Sequence, residues 1–232
     1  CSTGGNAAGV LSEYAVLPQS AVLHIPEYLN YQEAATLPCA AVTAWTCIKA
    51  AHIKKGDTVL LLGTGGVSIF GLQIAKALGA NVIITSSSNE KLERAKDLGA
   101  DELINYKENS DWGSKAFQVS GGGVNLVIEI GGGSTFDQSM EALTIGGHIS
   151  LIGALGGVKT ELNLLQIVFK NIHTHGITVG SREDHEEMNR FLEEHQIHPV
   201  IDKEVTFEQG ADAIMGIAAG NHFGKIVINL DR

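Results

Sequence analysis

Between residues 58 and 181 the chain alternates six times between a short β-rich apolar run and a helix-like pattern. The runs are TVLLLG (58–63), NVIITSS (81–87), ELINY (102–106), VNLVIEIGG (124–132), GHISLIGAL (147–155) and HTHGITVGS (173–181). Unbroken apolar runs fit strands covered on both faces, and a helix between consecutive strands lets them run parallel. The fold class expected is α/β, with a doubly wound parallel sheet. The helices carry their own punctuation. In SNEKLERAKDLGA (88–100) Ser88 or Asn89 caps the start, Leu92, Ala95 and Leu98 share a stripe, and Gly99 ends it.

The flanks stand outside this rhythm. Residues 9–25 read as two short strands around a Pro18-containing turn, and residues 31–52 as a helix broken near Pro38. After Ser181 come an acidic amphipathic helix, a strand (VIDKEVTF), a helix (FEQGADAIMGIAAG) and a strand (GKIVINL, 224–230). These flanks are expected to pair with each other or with something the sequence does not contain.

The first strand-to-helix junction carries the chemistry. In TVLLLGTGGVSIFGLQIAKALGA (58–80), Gly63 lets the chain leave the strand sharply and Gly65 lets backbone approach a pyrophosphate. The third position of such a turn favours close helix-to-strand packing, and here it holds Ser68, a small residue. The free N–H groups of the following helix and its partial positive end suit phosphate, each favourable charge contributing about 0.3–1 kcal/mol. The competing reading is a glycine-rich turn that binds nothing. At the end of the second strand an NAD site usually carries an acid. This chain has Thr85, Ser86, Ser87 and Ser88, then Lys91 and Arg94. Hydroxyls and a cation accept a 2′-phosphate where a carboxylate repels it, so NADP(H) is expected over NAD(H). The alternative leaves Ser88 as a cap and Lys91 solvated.

The absent acid also argues against an S-adenosylmethionine site. No Tyr stands four residues before a Lys, so the short-chain reductase pair is missing. The formal net charge of -10, without a basic block, argues against nucleic acid and anionic membrane surfaces as partners. No apolar run is long enough to span a bilayer. The three cysteines, Cys1, Cys39 and Cys47, form no CxxC pair, and a reducing, cytoplasmic setting is the expectation. Cys1 is not a native start, so no targeting signal can be judged.

GVLSEYAVLP, AATLPCAAVTAW, GTGGVSIFGLQIAKALGA, KLERAKDLGAD and HFGKIVI, in that order, resemble the medium-chain dehydrogenase/reductase superfamily. The similarity is greatest to its zinc-type alcohol dehydrogenase-like and quinone reductase-like branches. It implies a partial GroES-like, β-rich substrate domain over 1–40, an NADP-binding Rossmann domain over 41–182, and a return to the substrate domain over 183–232. It also implies that this chain corresponds to the C-terminal two-thirds of such an enzyme.

Residue by residue, the resemblance assigns Gly63, Thr64, Gly65, Gly66 and Val67 to the pyrophosphate turn. Ser86, Ser87 and Lys91 would read the 2′-phosphate, with Tyr106 flanking the adenine ribose. Ile130, Gly131, Ile152 and Gly153 would hold the nicotinamide end, with Thr43 beside it. Phe223 and Lys225 would fold back onto the coenzyme. Cys39 matches a catalytic zinc ligand of zinc-using relatives. One Cys makes no zinc site, which needs three protein ligands, so a buried small apolar role is expected and no metal site is assigned. The resemblance further implies a homodimer through the last strand of the cofactor sheet, near Ile177–Gly180. The nine histidines show no ligand constellation. His173 and His175 share a strand face and are expected to meet solvent or a partner subunit, and His185, His195 and His198 to lie at the surface. No G-x-S-x-G elbow occurs.

Two functional readings follow. One is an NADP(H)-dependent oxidoreductase acting on a small alcohol/carbonyl or quinone/enone substrate, its catalytic residues unidentified. The other is an NADP(H)-binding chain without turnover. An α/β domain that binds no nucleotide is the third outcome.

Overall fold

The computed structural model describes residues 8–230. In chain order the elements are α1 (Tyr31–Ala34), a π-helical turn (Leu37–Ala41), α2 (Val42–Ala50), β1 (Thr58–Leu62), α3 (Gly66–Ala77), β2 (Asn81–Ser86), α4 (Asn89–Asp97), β3 (Glu102–Asn105), α5 (Trp112–Val119), β4 (Val124–Glu129), α6 (Phe136–Ala142), β5 (Leu143–Leu151), α7 (Leu164–Lys170), β6 (His173–Gly176), α8 (Arg182–Glu194), β7 (Ile201–Thr206), α9 (Gly210–Ile217) and β8 (Lys225–Asn229). The first six strands form one sheet in the order β3-β2-β1-β4-β5-β6, with every pair parallel. This is the doubly wound arrangement the alternating runs predict. The direction of winding reverses between β1 and β4, which opens a crevice at the carboxyl ends of those strands.

Alternation along β1 divides the core. Val59 and Leu61 face the layer of α2, α3, α4 and α8, where they meet Ile69, Ile74, Leu92 and Met188. Leu60 and Leu62 face the layer of α5 and α6, where they meet Trp112, Ala116, Phe136 and Met140. Both faces of β1 are thus buried, as its unbroken apolar run requires.

The flanks depart from the sequence reading. Residues 9–25 form no strand; their only regular element is a 3-10 turn at Gln19–Ala21. Alternating β-branched residues make a strand only where a neighbour completes the ladder, and no strand among the described residues pairs with this segment. It runs instead past α8, where Arg182 donates to the carbonyls of Ser20 and Val22 at 2.8 and 3.0 Å. Among the described residues the two flanks meet through side chains rather than as paired strands: Tyr28 donates to the Ile197 carbonyl at 2.7 Å and His198 lies 2.7 Å from Glu33, while β7 pairs with β8, in parallel, with α9 as the crossover. The sixth strand stops at Gly176. Ile177–Gly180 lies beyond it, and Ile177 and Val179 turn their side chains into the α2 layer.

Candidate functional site

The turn after β1 sits at the mouth of the crevice. Gly63 has φ +70°, a left-handed value that glycine adopts without strain, and its N–H donates to Thr85 Oγ1 at 3.2 Å. Gly65 is the N-cap of α3 and has no side chain to cap the first turn, so the leading N–H groups stay open to a ligand. Ser68 is almost wholly buried and donates to the Leu62 carbonyl at 2.8 Å. The serine at the third position thus fastens the helix to the strand it follows. Gly66 has no room for a side chain: a Cβ there would meet Lys225 Cδ at 2.7 Å and Ala40 Cβ at 3.1 Å.

The contact with Lys225 shows that the end of the chain closes over this turn. Gly224 N–H donates to the Thr64 carbonyl at 2.9 Å, and Gly65 and Gly224 form a parallel bridge. Phe223 is buried, its ring 4.1 Å from the Arg94 guanidinium, and its N–H donates to Asp202 at 3.2 Å. Asp202 also pairs with Arg94 at 2.8 Å. Ala40 brings the start of α2 to the same place. Thr43 lies one turn on, buried, with its hydroxyl bonded to the Cys39 carbonyl at 2.7 Å.

At the end of β2, Ser86 is buried and its hydroxyl accepts from Ser88 N–H at 3.3 Å, while Ser87 is half-buried. Ser88 caps α4 by accepting from Lys91 N–H. Lys91 is not merely solvated: its ammonium donates to the carbonyls of Gly220 and His222 at 2.6 and 3.0 Å. Two of its three donors therefore hold the C-terminal segment against α4. Tyr106 follows β3, partly exposed, with its N–H bonded to the Ser86 carbonyl at 3.1 Å.

On the other side of the crevice the ends of β4 and β5 are tied together by a residue that sequence reasoning missed. Glu129 is fully buried. Its Oε1 accepts from the N–H groups of Gly131 and Gly132 at 2.6 and 2.9 Å and from the Thr135 hydroxyl at 2.6 Å. Its Oε2 accepts from the Ser139 hydroxyl. The Glu129 carbonyl accepts from Ile152 N–H at 2.9 Å, which sets Ile152 and Gly153 beside Ile130 and Gly131. The available signal was an acid closing a largely apolar strand, because such a carboxylate must find donors nearby.

Residues 66–194 match the family model described as "Zinc-binding dehydrogenase". A zinc-type alcohol dehydrogenase-like protein of Schizosaccharomyces pombe is 46% identical over 236 residues, covering 98% of this chain and 68% of its own length. The chain belongs to the zinc-binding dehydrogenase family. Among solved structures, an NAD-dependent alcohol dehydrogenase superposes with a TM-score of 0.91 at 33% identity, over 98% of this chain and 67% of that one. A 2-octenoyl-CoA carboxylase reductase in complex with NADP and 2-octenoyl-CoA has a TM-score of 0.88 at 25% identity, over 95% and 54% of the two chains. The medium-chain resemblance read from the sequence is borne out, and the chain spans about two-thirds of the length of these alcohol dehydrogenase-like relatives.

Among the described residues, no group of three or more His, Cys, Asp or Glu side chains is placed to hold a metal ion. Cys39 is exposed rather than buried, because the π-helical turn around Pro38 swings it outward. Cys1 lies outside the described residues. Cys47 is the buried thiol, and burial pushes its pKa up to about 12. His173 and His175 flank a third histidine. His148 lies 2.9 Å from His175, Nδ1 to Nε2, and stacks on the His173 ring at 4.8 Å between centroids. His195 and His198 are exposed, with His198 bonded to Glu33 at 2.7 Å, whereas His185 is half-buried. No helix among the described residues is long and apolar enough to cross a membrane.

Proposed function

We propose that this member of the family is an NADP(H)-dependent oxidoreductase acting on an alcohol/carbonyl pair or an activated double bond such as an enone or quinone. The observation that carries the reading is the turn Gly63–Val67: an uncapped helix N-terminus, a left-handed Gly63, and Gly66 with no room for a side chain beside Lys225. These features fit a dinucleotide pyrophosphate. Ser86, Ser87 and Lys91, where an acid would otherwise select NAD, favour the 2′-phosphate form.

Within this reading, Gly131 and Gly153, held in place through Glu129, line the nicotinamide end, with Thr43 beside it. The nicotinamide supplies hydride transfer when bound; the protein's part is to orient it and exclude water. Tyr106 flanks the adenine ribose. The coenzyme-binding unit spans 41–182, with 1–40 and 183–232 belonging to the substrate domain. A homodimer forms through the open edge of β6, where the exposed apolar residues Leu164, Leu165, Val168 and Phe169 of α7 also gain cover. The setting is cytoplasmic.

The test is a fluorescence titration with NADPH and NADH, followed by NADPH oxidation with aldehydes, quinones and enones. Tighter NADPH binding and turnover of one substrate class support the proposal. Binding without any oxidation supports the second reading, an NADP(H)-binding chain without turnover. That reading is favoured by the coverage, 68% of the Schizosaccharomyces pombe relative.

A further inference from the structure

His222 stands where the coenzyme phosphates would lie. A Cβ on Gly65 would point into the space that the glycine keeps open for the pyrophosphate, and His222 Nε2 is 3.8 Å from that position. The imidazole is held there from behind. Its carbonyl accepts from Lys91 at 3.0 Å, and the next residues, Phe223 and Gly224, are pinned to Asp202 and Thr64. Its other nitrogen, Nδ1, is buried without a hydrogen-bond partner among the described residues. A buried N–H without an acceptor is rarer and more costly than an unused acceptor. The neutral ring therefore carries its proton on Nε2, the nitrogen facing the turn.

Resting on the dinucleotide reading above, we propose that His222 is a coenzyme-binding residue that donates from Nε2 to a pyrophosphate oxygen. The groups facing its ring are Lys91 of α4, Asp202 of β7 and Lys225 of β8. Burial is the main influence lowering the His222 pKa, the two lysines add to it, and Asp202 opposes it. A bound phosphate counters that lowering, because an anion favours the imidazolium. Coenzyme affinity then rises as pH falls through the pKa of the complex.

The test uses the full chain, with Kd for NADH and NADPH measured by fluorescence from pH 6 to 8. NADH decides the pH arm because it lacks a titrating 2′-phosphate. His222→Ala is expected to weaken both coenzymes by the same factor, about tenfold or more, as for a hydrogen bond to a charged group. His222→Gln keeps a neutral donor; it should retain part of the affinity and lose the pH dependence of NADH binding. Circular dichroism confirms that both variants are folded. If neither variant changes Kd, the proposal is overturned while the dinucleotide reading stands. A loss confined to NADPH overturns the pyrophosphate assignment. Failure of the unaltered protein to bind either coenzyme overturns both.

Discussion

The ammonium of Lys91 anchors the carbonyls of Gly220 and His222, and the NADP(H) proposal gives it a second job, reading the 2′-phosphate, that is separable by measurement. Lys91→Ala should weaken NADPH by a larger factor than NADH in parallel titrations, with a smaller common loss from the loosened segment. Equal losses would leave it an anchor only. Glu129 is the opposite kind of residue, fully buried with every contact internal. Glu129→Gln can keep its oxygen on the Gly131, Gly132 and Thr135 donors only by turning an NH2 toward the Ser139 hydroxyl, which must then accept rather than donate. It should cost on the order of 1–3 kcal/mol, read from the urea midpoint. Cys47 gives a pH dependence. Its folded pKa of about 12 is raised above the unfolded thiol value near 8.5, so its contribution to stability is complete below about pH 8.5 and fades as pH rises toward 12. Cys47→Ala should flatten the fall in thermal midpoint between pH 8.5 and 10.5, relative to the unaltered protein.

At the scale of elements, the junction of β1 and α3 depends on one hydroxyl. Ser68→Ala removes the bond to the Leu62 carbonyl, which should cost about 1 kcal/mol and lower the thermal midpoint by ~2–4 °C in calorimetry. Strands β1, β2 and β4 were legible because each is buried on both faces, so composition alone reports their place, whereas β3, β5 and β6 carry exposed positions and were legible from the alternation of strands and helices. Residues 9–25 were not legible. Their alternation looks like a strand, but pairing depends on what lies beside the segment, which local sequence does not encode. The extent of the edge strand was overread for a related reason: Ile177 and Val179 are apolar because they pack into the α2 layer beyond Gly176, not because they pair. The glycine turn and Ser88 were visible from spacing, and Lys225 only through the family resemblance. Glu129 and His222 were not, since their partners come from a turn yet to be formed and from a segment distant in sequence.

For the molecule as a whole, the described residues divide into a deeply buried sheet and a thinly covered flank. Hydrogen exchange should show β1 and β4 as the slowest amides, because both are central and buried on each face. Residues 10–22, where Tyr14 and Val16 are 90% and 100% exposed, should exchange among the fastest.

The bridge between Gly65 and Gly224 has a consequence for the order of events during synthesis. Strands β1 to β6 emerge from the ribosome before the segment that closes the turn. A nascent chain still lacking residues 222–225 would carry a finished sheet and an unfinished cradle. On the dinucleotide reading, coenzyme capture would then wait for translation to pass Lys225, so the coenzyme would arrive after the sheet has formed rather than act as a nucleus around which it folds.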